Sequence, residues 1–158
     1  MNSLTDTNTG SLSSQFLHNR YILTALGEQQ LAFPSQWVAE VMLVERSRVL
    51  ALPFYGAMLL GVVHHQSDIV PLISAYWVLP EKPTQTIHIS LMKETLNVIR
   101  LGPSVGELAG VGLVVERVAG SVSEAQIAAS ESTIRRLDLQ DMPNQVWRPQ
   151  RWSPSTAR

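Results

Sequence analysis

The 158-residue chain contains no cysteine. Disulfides, thiolate metal sites and cysteine nucleophiles are therefore excluded together. Charge is scarce: only 16% of residues are Asp, Glu, Lys or Arg, and the net charge is −1. No basic excess exists to neutralise a phosphate backbone, so nucleic acid is not an expected partner. Long apolar runs are missing as well. Val49–Ser67 carries no formal charge, but Pro53, Gly56 and Gly61 interrupt it. Its unbroken apolar part falls far short of the roughly 20 residues a spanning helix needs, so membrane insertion is not expected. The opening MNSLTDTNTGSLSSQ has no basic stretch followed by an apolar one, which argues against a secretory signal. Together with the absent cysteine, this makes the cytoplasm the expected location.

The histidine spacings of metal chemistry are missing too. No HExxH or HxH occurs. Gly102-Pro-Ser-Val-Gly-Glu has glycines but no lysine, so it is a loop rather than a phosphate cradle. His64 and His65 are adjacent and point to opposite faces on a strand; a metal would need Asp68 or His88 to join one of them. Asp138 and Asp141 lie three apart in a polar tail. Nothing assembles a nucleophile, a base and an oxyanion site. The expectation is a non-enzyme with no catalytic residue, no metal and no cofactor.

What is present is apolar content, 45%, enough for a core. It is most concentrated in Gly56–Leu79, where the apolar runs Leu59–Val63 and Ile69–Ile73 flank His64-His65-Gln66-Ser67-Asp68. Two such runs around a polar break predict a β-hairpin covered on both faces, with an exposed tip of about five residues. Pro71 makes its second strand locally an edge or a bulge. Ser74 is positioned to cap a short helix over Ala75–Leu79.

Elsewhere, Arg20–Leu26 and Gln30–Phe33 predict a first hairpin around Gly27-Glu28. A turn at Ser35–Trp37 leads into a strand over Val38–Val44, with Glu40 facing outward and Trp37 either core or contact residue. Pro80 and Pro83 mark a linker over Glu81–Thr86, and Thr86–Met92 alternates as a half-buried strand. Leu96–Leu101 and Val111–Val118 read as strands, Ala119–Ser123 as a turn, and Glu124–Ser130 as a short helical piece. Ser132–Gln140 fits either a strand or a helical turn. Eight or nine short strands, with turn signals about every ten residues, predict an all-β fold of small closed barrels. The organisation expected is a flexible tail over 1–16, a domain over 17–130, and an irregular segment over 131–158.

Four stretches, taken in order, resemble the CheW-like domain: Tyr21–Gly27 (YILTALG), Gln29–Val41 (QQLAFPSQWVAEV), Gly61–Ile73 (GVVHHQSDIVPLI) and Val111–Ile127 (VGLVVERVAGSVSEAQI). The resemblance implies two small SH3-like five-stranded β-barrels over a shared hydrophobic core, with the second barrel incomplete or closed differently by Ile134–Val146. It implies a non-catalytic adaptor in chemotaxis-type signalling. The partners would be the regulatory domain of a CheA-type histidine kinase, a methyl-accepting chemoreceptor tip and other CheW-like proteins. Val38 and Glu40 match partner-contacting positions of that family. The implied protein-binding set is Val38, Glu40 and Val41 together with His64, His65, Gln66, Ser67 and Asp68. The tip departs from the family's Asn-Leu-Arg-Gly: its arginine is Gln66 and its glycine is Ser67, while the aspartate after the IVP strand is Ser74. Two other readings are an accessory member that joins arrays without coupling, and an unrelated small β-barrel that binds or senses a ligand.

Overall fold

Arg20–Leu26 is rich in β-forming residues, and Gly27 supplies a positive φ of 62° where the chain must reverse. Arg20–Leu26 (β1) and Gln29–Pro34 (β2) therefore pair antiparallel, from Tyr21 opposite Pro34 to Leu26 opposite Gln29. The structure is a computed structural model and describes residues 19–56, 58–80, 93–131 and 133–142. The expected strand over Thr86–Met92, the linker before it from Glu81, and the tail after Met142 lie outside these residues.

Pro34 ends β2, and one 3-10 turn at Ser35–Trp37 redirects the chain into β3 (Val38–Glu45). A second 3-10 turn, Arg46–Arg48, follows. The apolar hairpin is β4 (Leu59–His65) with β5 (Asp68–Ser74). Its register runs from Leu59 opposite Ile73 to His65 opposite Asp68. Only Gln66 and Ser67 form the turn, so the expected five-residue tip is corrected to two. His64, His65 and Asp68 belong to the strands. Gln66 holds φ at 54°, a left-handed conformation that costs an L-residue about 1–2 kcal/mol. Beyond β5, Ala75–Val78 is a 3-10 turn, and the Ser74 side chain does not cap it.

Among the described residues the remaining elements are β6 (Thr95–Leu101), a kinked 3-10 segment Pro103–Leu108, β7 (Gly112–Val115), β8 (Arg117–Ser123), α1 (Glu124–Ala129), β9 (Ile134–Arg136) and a 3-10 turn Leu139–Asp141. A capping box starts α1: Gln126 N donates to Ser123 Oγ at 3.3 Å, and Ser123 N donates to Gln126 Oε1 at 2.8 Å. The run expected as one strand, Val111–Val118, breaks at Glu116, and the expected turn Ala119–Ser123 is part of β8. The two pieces belong to different sheets. One has the order β3-β6-β7-β5-β4 and the other β8-β1-β2-β9. The all-β expectation holds, with five strands in one sheet and, among the described residues, four in the other.

Pro71 lies opposite Val62, and pairing of β5 with β7 starts only at Leu72, so the proline precedes the second ladder. The linear strand order hides a closure. Leu50 N donates to Val62 O at 2.8 Å and Val62 N to Leu50 O at 2.9 Å, so the chain beyond β3 returns to β4. Gly61 permits this approach: a Cβ there would stand 2.5 Å from Leu50 O, and its φ is +150°.

The five-stranded sheet is apolar on both faces. Met42, Val44, Val63, Val70, Leu72, Leu96, Val98 and Val114 fill its own concave side. Ile73, Ile99, Leu101, Leu113 and Val115 point the other way and pack with Leu26, Leu31, Phe33 and Tyr76 between the sheets. Glu116 stands at the crossing. Its carboxylate accepts from Tyr76 Oη at 2.5 Å and from Gly27 N at 2.9 Å, and its carbonyl accepts from Asn97 Nδ2 at 3.0 Å.

Two outcomes follow for urea unfolding. Glu116→Ala strips the carboxylate from the buried Tyr76 hydroxyl and the Gly27 amide, and should lower the unfolding free energy by about 3 kcal/mol. Gly61→Ala forces Leu50 away from β4 and should cost about 1–3 kcal/mol.

Candidate docking site

Residues two apart on a strand share a face. Along β3 the concave side takes Val44, Met42 and then Glu40. Along β6 it takes Leu96, Val98 and then Arg100; along β5, Leu72, Val70 and then Asp68; along β4, Val63 and then His65. The strand directions bring all four polar ends to the same mouth of the barrel. There Arg100 Nη1 donates to Glu40 Oε1 at 3.0 Å, and Arg100 Nη2 donates to Asp68 Oδ2 at 2.5 Å. His65 Nε2 lies 3.2 Å from Glu40 Oε1 and 3.3 Å from Oε2. The mouth is thus closed by a charged layer resting on an apolar core. β3 and β4 are opposite edges of the sheet, and the Glu40–His65 contact spans the seam between them.

Glu40 is therefore not the outward-facing side chain expected of it. A bulge sets its direction: Val38 stands opposite Leu101, Glu40 opposite Arg100, and Ala39 is the extra residue. Val38 consequently packs half-buried against the core between the sheets, while Glu40 turns into the barrel mouth. Val41, the next residue, points outward and is 46% exposed; Leu43 and Ile69 are exposed likewise at 73% and 63%. His64 faces outward opposite Ile69. Gln66 and Ser67 form the turn between the strands. The structure thus gathers Glu40, His65 and Asp68 into one cluster, sets Val41, His64, Gln66 and Ser67 around it, and turns Val38 away.

Arg100, which joins these residues, is absent from the sequence-based set. Its only signal is a lone cation in the apolar strand LNVIRL, two residues beyond Val98. Its partners come from β3 and β5, and no local pattern encodes that proximity. Among the described residues, no group of three or more His, Asp or Glu side chains is gathered to hold a metal, and no helix is long and apolar enough to cross a membrane.

The electrostatics favour ionised groups. The hydrogen bond from Arg100 holds the Glu40 carboxyl below the usual carboxylate range; burial opposes this, and His65 adds to it. The bonds to Asp68 and then Glu40 raise Arg100 further above its already high value.

Comparison with solved structures places this architecture. The crystal structure of the scaffolding protein TtCheW from Thermoanaerobacter tengcongensis aligns with a TM-score of 0.50 at 16% sequence identity, covering 66% of this chain and 61% of that one. The fold is CheW-like. The alignment reaches less than two thirds of TtCheW's length, and at this identity the likeness is one of fold. No family model matches the sequence, and no curated protein does. Within the CheW-like fold, the charged mouth lies on the five-stranded unit, between the bulged strand β3 and the β4–β5 hairpin.

A carboxylate with a lower pKa folded than unfolded contributes stability above its unfolded pKa and loses it as pH falls through the folded value. Stability should accordingly fall as pH drops below about 4.5, and Glu40→Gln should flatten that part of the profile while leaving the slope contributed by other carboxylates. Thermal unfolding of both proteins between pH 3 and pH 7, conventional limits for this transition, checks it.

Proposed function

We propose that this chain is a non-catalytic adaptor of chemosensory signalling, working in the cytoplasm and holding a chemoreceptor tip to the regulatory domain of a CheA-type histidine kinase. Chemotaxis, phototaxis or type IV pilus motility would be its output. The observation that supports this best is the convergence of Glu40, His65 and Asp68 through Arg100, with exposed Val41, Leu43 and Ile69 around them. Apolar contact area beside fixed charges is what a specific protein interface needs: burial supplies affinity, and charges set register and partner choice. The CheW-like fold supports the same reading. The mechanism is scaffolding. The adaptor carries no chemistry of its own, and receptor state biases the kinase through differential contacts across the shared surface.

A second reading is favoured by one residue. Position 66 is glutamine where the family resemblance puts arginine, so the tip lacks a permanent charge and a bidentate donor. On that reading the protein joins arrays without activating the kinase. A reconstitution with receptor, kinase and this protein separates the two: coupling raises kinase activity above that of kinase with receptor alone, and an accessory role leaves it unchanged.

Binding is measured first. The full chain should bind the kinase regulatory domain or the receptor tip in titration calorimetry, and Val41→Asp should weaken that binding at least about tenfold while leaving the melting temperature nearly unchanged. Absence of binding to either partner overturns the adaptor reading. Unchanged affinity in Val41→Asp removes the β3 surface from it.

A further inference from the structure

Arg100 has a geometry that stability alone does not account for. Its guanidinium links β3 to β5, and in the sheet order β3-β6-β7-β5-β4 two strands stand between them. No backbone ladder sets the relation of those strands at this end. Glu40 carries the link onward to His65 on β4. The arginine does this at a cost. Its Nε is buried and, among the described residues, has no hydrogen-bond partner. Its side chain is only 15% exposed, yet it sits in a row whose other members, Leu96 and Val98, are apolar. An apolar residue of similar length would continue that row and leave Glu40 and Asp68 to water, since the Asp68 side chain is 61% exposed. Replacement of a buried ionic group by an apolar one is commonly neutral or favourable for folding. What an apolar residue cannot supply is the planar fork, whose two Nη atoms stand at a fixed separation and hold two carboxylates in one arrangement.

We propose that Arg100 is the positioning residue of the docking face, fixing Glu40–Val41 on β3 and the β4–β5 hairpin tip as a single surface. The link to partner binding rests on the adaptor reading above; the effect on the surface itself does not. Lysine, a point charge with rotatable donors, can satisfy one carboxylate at a time and restores the arrangement only in part.

The test compares wild type, Arg100→Met, Arg100→Lys and Asp68→Asn in the full chain. Asp68→Asn changes an exposed partner only, so it reports on the link even where Arg100→Met does not fold. Amide hydrogen exchange is the first readout. In Arg100→Met the amides of Glu40–Val41 and His65–Ile69 should exchange about tenfold faster, those of β1 and β2 should not change, and the melting temperature should stay within about 4 °C. Asp68→Asn should loosen the hairpin tip and leave β3 as it was. Unchanged exchange at the tip in both variants overturns the proposal, as does a rise spread evenly over all strands. Binding to the kinase regulatory domain and the receptor tip is the second readout, with a loss of about tenfold expected for Arg100→Met and a smaller loss for Arg100→Lys. Unaltered affinity with faster tip exchange overturns the role in docking. If wild type binds neither partner, the adaptor reading fails and the exchange data alone decide whether Arg100 organises the surface.

Discussion

The two sheets are held in register by what happens at one residue. The chain leaves the five-stranded sheet at Val115 and enters the four-stranded sheet at Arg117, so Glu116 belongs to neither. Its backbone N donates to Ala25 O at 3.2 Å, its carbonyl accepts from Asn97, and its carboxylate reaches Gly27 and the Tyr76 hydroxyl. Those partners come from β1, β6, the β1–β2 turn and the 3-10 turn after β5. Leu26, Leu31 and Phe33 meet Ile73, Ile99, Leu101 and Leu113 through apolar, non-directional contacts, and such contacts tolerate sliding. A carboxylate with two fixed donors does not. The same site explains why the run VGLVVERV ends as a strand there: the Glu116 amide bonds to β1 of the other sheet, and its carbonyl takes the Asn97 side chain.

The barrel mouth obeys a related constraint with the opposite solution. A sheet that curls until its edge strands meet must close its ends as well as its seam. The seam is closed by Leu50 and Val62, which approach because position 61 has no Cβ. The end is closed by charge. An apolar end would leave an aliphatic patch facing water beside Val41, Leu43 and Ile69, enlarging the exposed apolar surface and the hazard of non-specific association. Ionised side chains at that position keep the mouth hydrated while their stems rest on the core. They also give the surface a fixed pattern of charge, and a specific partner can read that pattern whereas a purely aliphatic patch offers none.

What the sequence reveals and what it hides divide along one physical line. Short apolar or β-rich runs and turn chemistry are local, and they mark β1 with β2, the 3-10 turn at Ser35–Trp37, β3, the apolar hairpin and β6 within a residue or two of where they lie. The hidden features are those decided by distant partners. The bulge at Ala39 depends on pairing with Leu101 and Arg100, and without it Val38 and Glu40 share a face by alternation. The division of VGLVVERV depends on which sheet each half joins. The two-residue hairpin turn is unreadable for a different reason. Gln66 adopts a left-handed conformation that glycine or asparagine ordinarily signals, so the residue type hides the geometry. Three of the four members of the charged cluster are legible, because Glu40, His65 and Asp68 fall in stretches with family resemblance. Arg100 is not, because its role exists only once four strands are assembled.

The rewritten hairpin tip takes on a different meaning in this light. Judged by sequence, replacing an arginine with Gln66 removes the tip's permanent cation. In the fold, a permanent cation is present at the same mouth, delivered from β6 and bonded to the first residue of the hairpin's second strand. Charge at a surface and the residue position that supplies it are separate properties, since a closed barrel brings the ends of several strands to one place. A guanidinium anchored in the barrel wall and bonded to carboxylates on two strands is also held more rigidly than one at a two-residue turn, where the side chain would project from the most solvated point of the hairpin. Such a surface gives up reach and gains order, and an interface built on it loses less side-chain entropy on association.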